Sequence, residues 1–356
     1  MRIQNVGLLH SDPARAFASY ALIAPLRGRS CYLVGMHGEV VHEWRLPEQL
    51  GSLAMLLPGG HLLVTSQTAE GPPIIEGKGG HLREYDWDGN LVWEYIDHGQ
   101  HHDFRRMANG NTLYIGWEQM PEDRARLVHG GVPGTEKVKG GKVYSDYLKE
   151  VSPDGRTVWE WHAHTLDLER YPLADDCWRW EFAHANSCCP LPDGGVLVSF
   201  RHIDTLMMIG RDGKVRWEMR DPLWGHQHNA EYLDNGNILL FANGMTNLTV
   251  PPSSRVLEID PRTNETVWQY RAPQSWTFFS AIISGAQRLP NGNTFACEGV
   301  TGRVFEVNTA GDIVWEYVCP FFRHVFPGDG PSNALFRAYK YASDSPEIGG
   351  RLPRPF

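Results

Sequence analysis

No stretch of this chain approaches the roughly 20 consecutive apolar residues that a membrane-spanning helix needs. Basic charge is not in excess either. Lys and Arg total 33 against 42 Asp and Glu, a net charge of −9, which removes the electrostatic footprint expected of a nucleic-acid or anionic-membrane binder. Cysteine is scarce. The six thiols, at positions 31, 177, 188, 189, 297 and 319, have no metal-type spacing. The adjacent Cys188 and Cys189 face opposite sides of a strand and are poorly placed to pair with each other. The opening MRIQNVGLLHSDPARAF holds no long apolar core and no small-residue cleavage site. The expectation is a reduced, cytoplasmic protein with neither a nucleic-acid nor a membrane partner.

What the chain does have is repetition. Six short β-prone runs end on tryptophan: GEVVHEW to Trp44, GNLVWEY around Trp93, GRTVWEW around Trp159, GKVRWEM around Trp217, NETVWQY around Trp268 and GDIVWEY around Trp315. The tryptophans lie 49, 66, 58, 51 and 47 residues apart. Units of about 40–50 residues built from four short strands are the signature of propeller blades. The chain therefore reads as all-β, a six-bladed β-propeller forming one domain over 1–356. The first unit shows only three strands, Tyr20–Ile23, Cys31–Val34 and Val40–Trp44. Ala334–Tyr341 is left over at the other end and is expected to complete that blade and close the ring, removing exposed strand edges. The repeated tryptophans are expected to lie buried between blades.

A second repeat marks the strand nearest the axis. Ser52, His102, Asn186, His228 and Ser284 each stand seven residues before the equivalent position of a Gly-containing hairpin turn, such as Asn109-Gly110-Asn111 or Asn235-Gly236-Asn237. A constant interval puts these five polar residues at one height. Side chains alternate along a strand, so His184 shares a face with Asn186, and His226 with His228. His102, His184 and His228 are thereby aimed into one axial cavity, with Arg201 beside them. A single strand histidine is most often a packed or solvated residue; several at one height, with an arginine, point to chemistry. Three long insertions, about 67–80, 118–141 and 162–181, are expected to rim the entrance, the usual place for specificity on a rigid scaffold.

The elements His101-His102-Asp103, His184-Ala185-Asn186-Ser187, Ser199-Phe200-Arg201-His202 and Gln227-His228-Asn229-Ala230 resemble the motifs of the bacterial arylsulfotransferases, which do not use the nucleotide sulfate donor. The closing Asn333-Ala334-Leu335-Phe336-Arg337-Ala338-Tyr339 resembles shorter relatives of the same family. The resemblance spans nearly the whole chain. It implies a six-bladed propeller and ping-pong transfer of a sulfuryl group from an aryl sulfate to a phenol. By the same resemblance His228 takes up the group, His102 lies near the donor oxygens, and His184 and Arg201 hold the anion. Asn186, His202, His226, His101 and Arg337 are expected to contact substrate, an aryl or other anionic small molecule. No cofactor is expected.

Two other readings stand beside this one. His102, His184 and His228 form an adequate ligand set for a divalent metal, or an acid–base set for lyase or hydrolase chemistry. Alternatively the propeller is a binding module without catalysis, although such modules use their rim and faces rather than their axis.

Overall fold

In the computed structural model, which describes residues 5–245, 251–325, 328 and 330–355, six four-stranded antiparallel sheets make six blades. From the axis outward, blade two runs Leu50–Leu57, His61–Gln67, Gly80–Tyr85, Leu91–Ile96. Blade three runs Gln100–Arg106, Thr112–Gln119, Tyr144–Val151, Thr157–His162. Blade four runs Ala185–Pro190, Val196–Phe200, Thr205–Ile209, Val215–Arg220. Blade five runs His228–Tyr232, Ile238–Ala242, Arg255–Asp260, Glu265–Tyr270, and blade six Gly285–Arg288, Thr294–Glu298, Arg303–Val307, Ile313–Val318. No helix is long and apolar enough to cross a membrane among the described residues. All six cysteines are free and buried.

Both chain ends close the ring. Tyr339–Ala342 is the innermost strand of blade one, with Tyr20 opposite Tyr341 and Leu22 opposite Tyr339, followed outward by Ser19–Ile23, Ser30–Val34 and Val40–Arg45. The expected closing strand is present but shorter than Ala334–Tyr341: only Tyr339–Ala342 pairs as a ladder, and the upstream part touches blade one through a single bridge from Pro25 to Leu335. A second closure was not legible in the sequence: Gly7–Ser11 adds a fifth, outermost strand to blade six.

The tryptophan repeat turns out to be a clamp rather than simple filling. Trp44 and Trp315 are buried, but Trp93, Trp159, Trp217 and Trp268 are only half-buried, contrary to expectation. What most of the six share instead is a hydrogen bond across the blade seam. The indole N–H of Trp44 donates to Asp86 O, Trp93 to Pro153 O, Trp159 to Arg211 O, Trp217 to Asn264 Oδ1 and Trp315 to Met36 O. Each acceptor lies in or beside an outer hairpin of the next blade. An amphipathic ring placed so can bury its body and keep its N–H paired. Arg106, Arg211 and Arg288 cover the outer faces of Trp93, Trp159 and Trp268 at 4.4–4.8 Å.

The inner strands are tied by side chains of their own. Asp103 accepts from Cys188 N, Ser187 from Ala230 N, and Asn229 from Ala286 N. These three acceptors stand one residue after His102, Asn186 and His228, and each captures the amide of the next blade's inner strand. Inner strands of neighbouring blades are not hydrogen-bonded by a ladder, so buried amides there must find side-chain partners. Asp103 also pairs with Arg105 and Arg337, and Arg105 with Glu231, filling the axis with ion pairs.

Candidate active site

On the face where inner strands begin, a cavity of about 340 Å³ opens at the axis. His102, His184, His228, Arg201 and His202 line it together. The register residues Ser52, Asn186 and Ser284 do not. Ser52 Oγ donates to His102 O, Asn186 Nδ2 donates to Gln227 O, and Ser284 Oγ accepts from Gly299 N. The seven-residue interval marks height, then, but not direction. Alternation fails locally because Ala183, His184, His226 and Asn229 all have positive φ, with a bulge in the pairing of the inner strand after Ala185 and again after His228. Such residues turn the next side chain away from the alternating pattern.

His228 is the most completely defined of the cavity groups. Its Nδ1 lies 2.8 Å from Asn243 Oδ1 and 3.0 Å from His226 O. The Asn243 amide nitrogen donates to Ser280 O and Ile283 O, at 2.8 and 3.1 Å, so its oxygen must be the end facing His228. Two acceptors around Nδ1 require a proton there. The Nε2 of a neutral ring then carries the lone pair. Burial, reinforced by the nearby Arg201 charge, pushes the His228 pKa well below its ordinary value and keeps the ring neutral.

The other imidazoles form a packed cluster. His102 and His184 meet edge to face at 4.7 Å between ring centres, and His184 stacks on His202 at 4.4 Å. Burial also lowers the pKa of His102, His184 and His202. Glu181 Oε1 lies 2.9 Å from His184 Nδ1, a close contact without hydrogen-bond alignment, and accepts from the Trp117 indole at 2.7 Å.

His101, Asn186, His226 and Arg337 were expected to touch substrate, and the structure places none of them in the cavity lining. His101 lies behind His102, with 2.6 Å between their Nδ1 atoms, and stacks on Trp117. His102 has a φ of +51° and the strand pairing is bulged between His101 and Phe104, so alternation is lost and the two neighbouring rings meet. His226 braces the wall instead, with Nε2 3.0 Å from Asp176 Oδ1 and Nδ1 3.2 Å from Arg201 O. Burial opposes its charge, but hydrogen bonds to Asp176 and Asp204 raise its pKa to about 9. Asp176 is correspondingly depressed to about 2 by His226. Arg337 is bound within the axial ion pairs, to Asp103 and to Asn186 O. Arg323 and His324 are exposed and outside the lining.

Much of the wall comes from residues the sequence reading missed. Arg27 and Leu26 arrive from the loop of blade one, and Phe336 from the closing segment. The first insertion contributes Ile75, Glu76 and Gly77; the third contributes Asp176, Cys177, Trp178, Trp180 and Glu181. Gly77, at φ +74°, lies so close over His102 that a Cβ there would stand 2.2 Å from the ring. The second insertion reaches the site through the third, by the parallel pairing of Gly130–Val132 with Leu173–Trp178. The insertions were legible as grafts, but nothing in their sequence said which side chains turn inward.

The ligand set of the alternative metal reading is distributed differently in the structure. Among the described residues, His102, His184 and His228 do not bring ligand atoms within reach of one ion, whereas Glu181, His184 and His202 do.

The depressed imidazoles bear on stability. Histidines 101, 102, 184, 202 and 228 at the site, and His42 away from it, titrate lower in the fold than in the unfolded chain. Below about pH 6.5 the unfolded state therefore binds protons that the folded state refuses, and stability falls with pH. His226 acts oppositely: its contribution is full below pH 6.5 and lost as pH rises through about 9. The expected result is a melting temperature that declines steadily from pH 6.5 downward. A melting curve indifferent to pH between 6.5 and 5 would contradict this account.

A family model described as arylsulfotransferase (ASST) matches residues 54–319. No curated protein matches. A crystal structure of a protein of unknown function from Bacteroides caccae is similar over 91% of this chain and 98% of its own, with 13% identity and a TM-score of 0.57, a likeness of fold. A virginiamycin B lyase from Staphylococcus aureus, solved with quinupristin, aligns over 89% of each chain at 10% identity and a TM-score of 0.48. A streptogramin B lyase aligns at 11% identity over 89% of this chain and 88% of its own, with a TM-score of 0.47.

Proposed function

This chain belongs to the arylsulfotransferase family, and from that premise we propose that it moves a sulfuryl group from an aryl sulfate to a phenolic acceptor through a sulfohistidine at His228. The observation that carries this reading is the fixed tautomer of His228: Nδ1 is committed to Asn243 and His226 O, so Nε2 keeps its lone pair in a cavity shared with Arg201. A neutral, oriented imidazole beside an arginine suits a nucleophile that attacks an anionic centre.

In the first half-reaction the Nε2 lone pair forms a bond to sulfur as the bond from sulfur to the aryl oxygen breaks. Arg201 and His184 hold the sulfuryl oxygens, where charge-assisted donors in a buried site act strongly. An anion in the cavity raises the proton affinity of the surrounding imidazoles. His102 thereby gains the proton that it passes to the departing phenolate. In the second half-reaction an acceptor phenol gives its proton to His102 and its oxygen displaces Nε2 from sulfur. Trp178, Trp180 and Phe336 supply aromatic surface for the ring. His202, stacked on His184, holds that ring in place.

A metal-dependent lyase or hydrolase is the second reading, favoured by the reach of Glu181, His184 and His202 toward one ion. Against it, a guanidinium in the same cavity repels a cation. Incubation with 4-nitrophenyl sulfate and no acceptor separates the two. The transfer reading expects a burst of nitrophenol equal to the enzyme present and a mass gain of one sulfuryl group on His228. Arg201→Ala should retain activity lowered about 10²- to 10³-fold, the usual loss for one anion donor. Activity abolished by a chelator and restored by a divalent metal would replace this reading with the metal one.

A further inference from the structure

We propose that Glu118, His162 and His164 form a binding site for one divalent transition-metal ion, zinc by preference, at the common root of the second and third insertions. The site lies outside the axial cavity. It is independent of the sulfuryl-transfer reading.

The three side chains come from separate places and converge on one point. Glu118 is near the end of the second strand of blade three, His162 ends the fourth, and His164 stands in the 3₁₀ turn Ala163–Thr165 that follows. Glu118 Oε1 lies 2.8 Å from His162 Nδ1 and 3.5 Å from His164 Nε2, and one ligand atom from each residue falls within 4.8 Å of the others. Two donors held at zinc–nitrogen and zinc–oxygen bond lengths in a tetrahedron stand roughly 3.4 Å apart. The spacing needs little adjustment to take the ion. Two imidazoles and a carboxylate are a donor set for a borderline ion rather than for calcium or magnesium.

The surroundings agree. Glu160 Oε1 is 3.8 Å from His162 Nε2, the nitrogen that the ion would leave free, where a metal-bound imidazole ordinarily keeps an acidic partner. Lys149, the cation whose charge reaches His162, is itself held by Asp97 at 3.3 Å. The turn carrying His164 is fixed by Arg124, whose guanidinium donates to His164 O and Leu166 O, and by Thr165 Oγ1 donating to His162 O. The ligands are therefore partly preorganised, at side-chain exposures of 20–32% that admit an ion from solvent. The competing account is a plain ion pair between Glu118 and a protonated His162, and it predicts no metal affinity.

The location gives such an ion a purpose. Glu118 begins the second insertion and His162 the third. Their chains then pair as the parallel strands Gly130–Val132 and Leu173–Trp178 and deliver Asp176, Trp178 and Glu181 to the cavity wall. An ion at the root pins both insertions before they diverge.

Isothermal titration of the chelator-dialysed protein with zinc chloride tests this. One zinc ion per chain should bind saturably. Glu118→Gln and His164→Ala should each weaken binding at least tenfold, whereas His202→Ala, in the axial cavity, should leave it unchanged. Tryptic cleavage after the exposed Arg170 should slow when zinc is present, and this protection should be lost in His164→Ala. Glu118→Gln is nearly isosteric and guards against misfolding; its zinc-free melting temperature should match the parent. Absence of saturable binding, affinity unchanged in the His162→Ala/His164→Ala double variant, or loss of zinc in His202→Ala would each overturn the site.

Discussion

His228→Asn should leave no detectable burst of nitrophenol from 4-nitrophenyl sulfate and no sulfuryl adduct on the protein. Removing a covalent nucleophile removes the chemical step itself, a loss on the order of 10⁶ in rate. Asparagine preserves a polar side chain near Asn243 but has no nitrogen lone pair able to attack sulfur. The substitution therefore separates chemistry from binding: substrate affinity should persist, because Arg201 and His184 remain in the cavity. A His228→Asn protein that still gives a full burst would end the sulfohistidine reading. Arg201 and the cavity would then stand as an anion site whose reaction runs through another group.

Removing residues 332–356 should leave the protein insoluble or unfolded at room temperature. The segment buries Ala334, Leu335, Phe336, Ala338, Tyr339 and Ile348, and at about 1.5–3 kcal/mol for each large side chain their loss is on the order of 10 kcal/mol. That is comparable with the roughly 5–15 kcal/mol that holds a typical domain together. Two further costs follow. Arg337 pairs with Asp103, and Lys340 with Glu306 at 2.6 Å, with all four side chains fully buried. Truncation strands Glu306, and breaking a buried pair from one side typically costs about 3–5 kcal/mol; Asp103 loses Arg337 but keeps Arg105. The truncated chain also exposes the inner edge of Ser19–Ile23, a template for aggregation. Circular dichroism and light scattering decide the matter: a soluble truncated protein with an unchanged melting temperature would mean that blade one does not depend on its closing strand.

The two parts of the active cavity were unequally legible. His102 and His228 were found because inner strands repeat at a fixed interval before their turns, and His184 and Arg201 because they stand close to that register in blade four. Repetition exposes height along the axis. Direction is another matter, as Asn186 shows: at the same height as His228, its amide donates to Gln227 O and never reaches the cavity. The difference arises from positive φ at Ala183 and His184, which no residue type there announces, since neither is glycine or asparagine. His101 and His226 were misplaced for the same reason, and both support the wall from behind.

Arg27, Glu181 and Trp178 had no comparable signal. They stand outside the four repeated strands of every blade and reach the axis only because distant segments pack there. Glu181 reads as one more acid in an insertion until Trp117, 64 residues earlier, is seen to donate to it.

By itself the sequence determined the blade count, the closure of the first blade by the last strand, and the height of His102 and His228 at the axial cavity. These properties follow from local periodicity, which a chain carries wherever it folds: turn chemistry, strand length and a tryptophan at a fixed place. Tertiary structure alone decided which side chains face the cavity, which tautomer His228 adopts, how Gly7–Ser11 joins blade six, and where Glu118 meets His162 and His164. Each of these depends on a partner remote in sequence or on a backbone angle imposed by packing, and neither is written in any single stretch of residues.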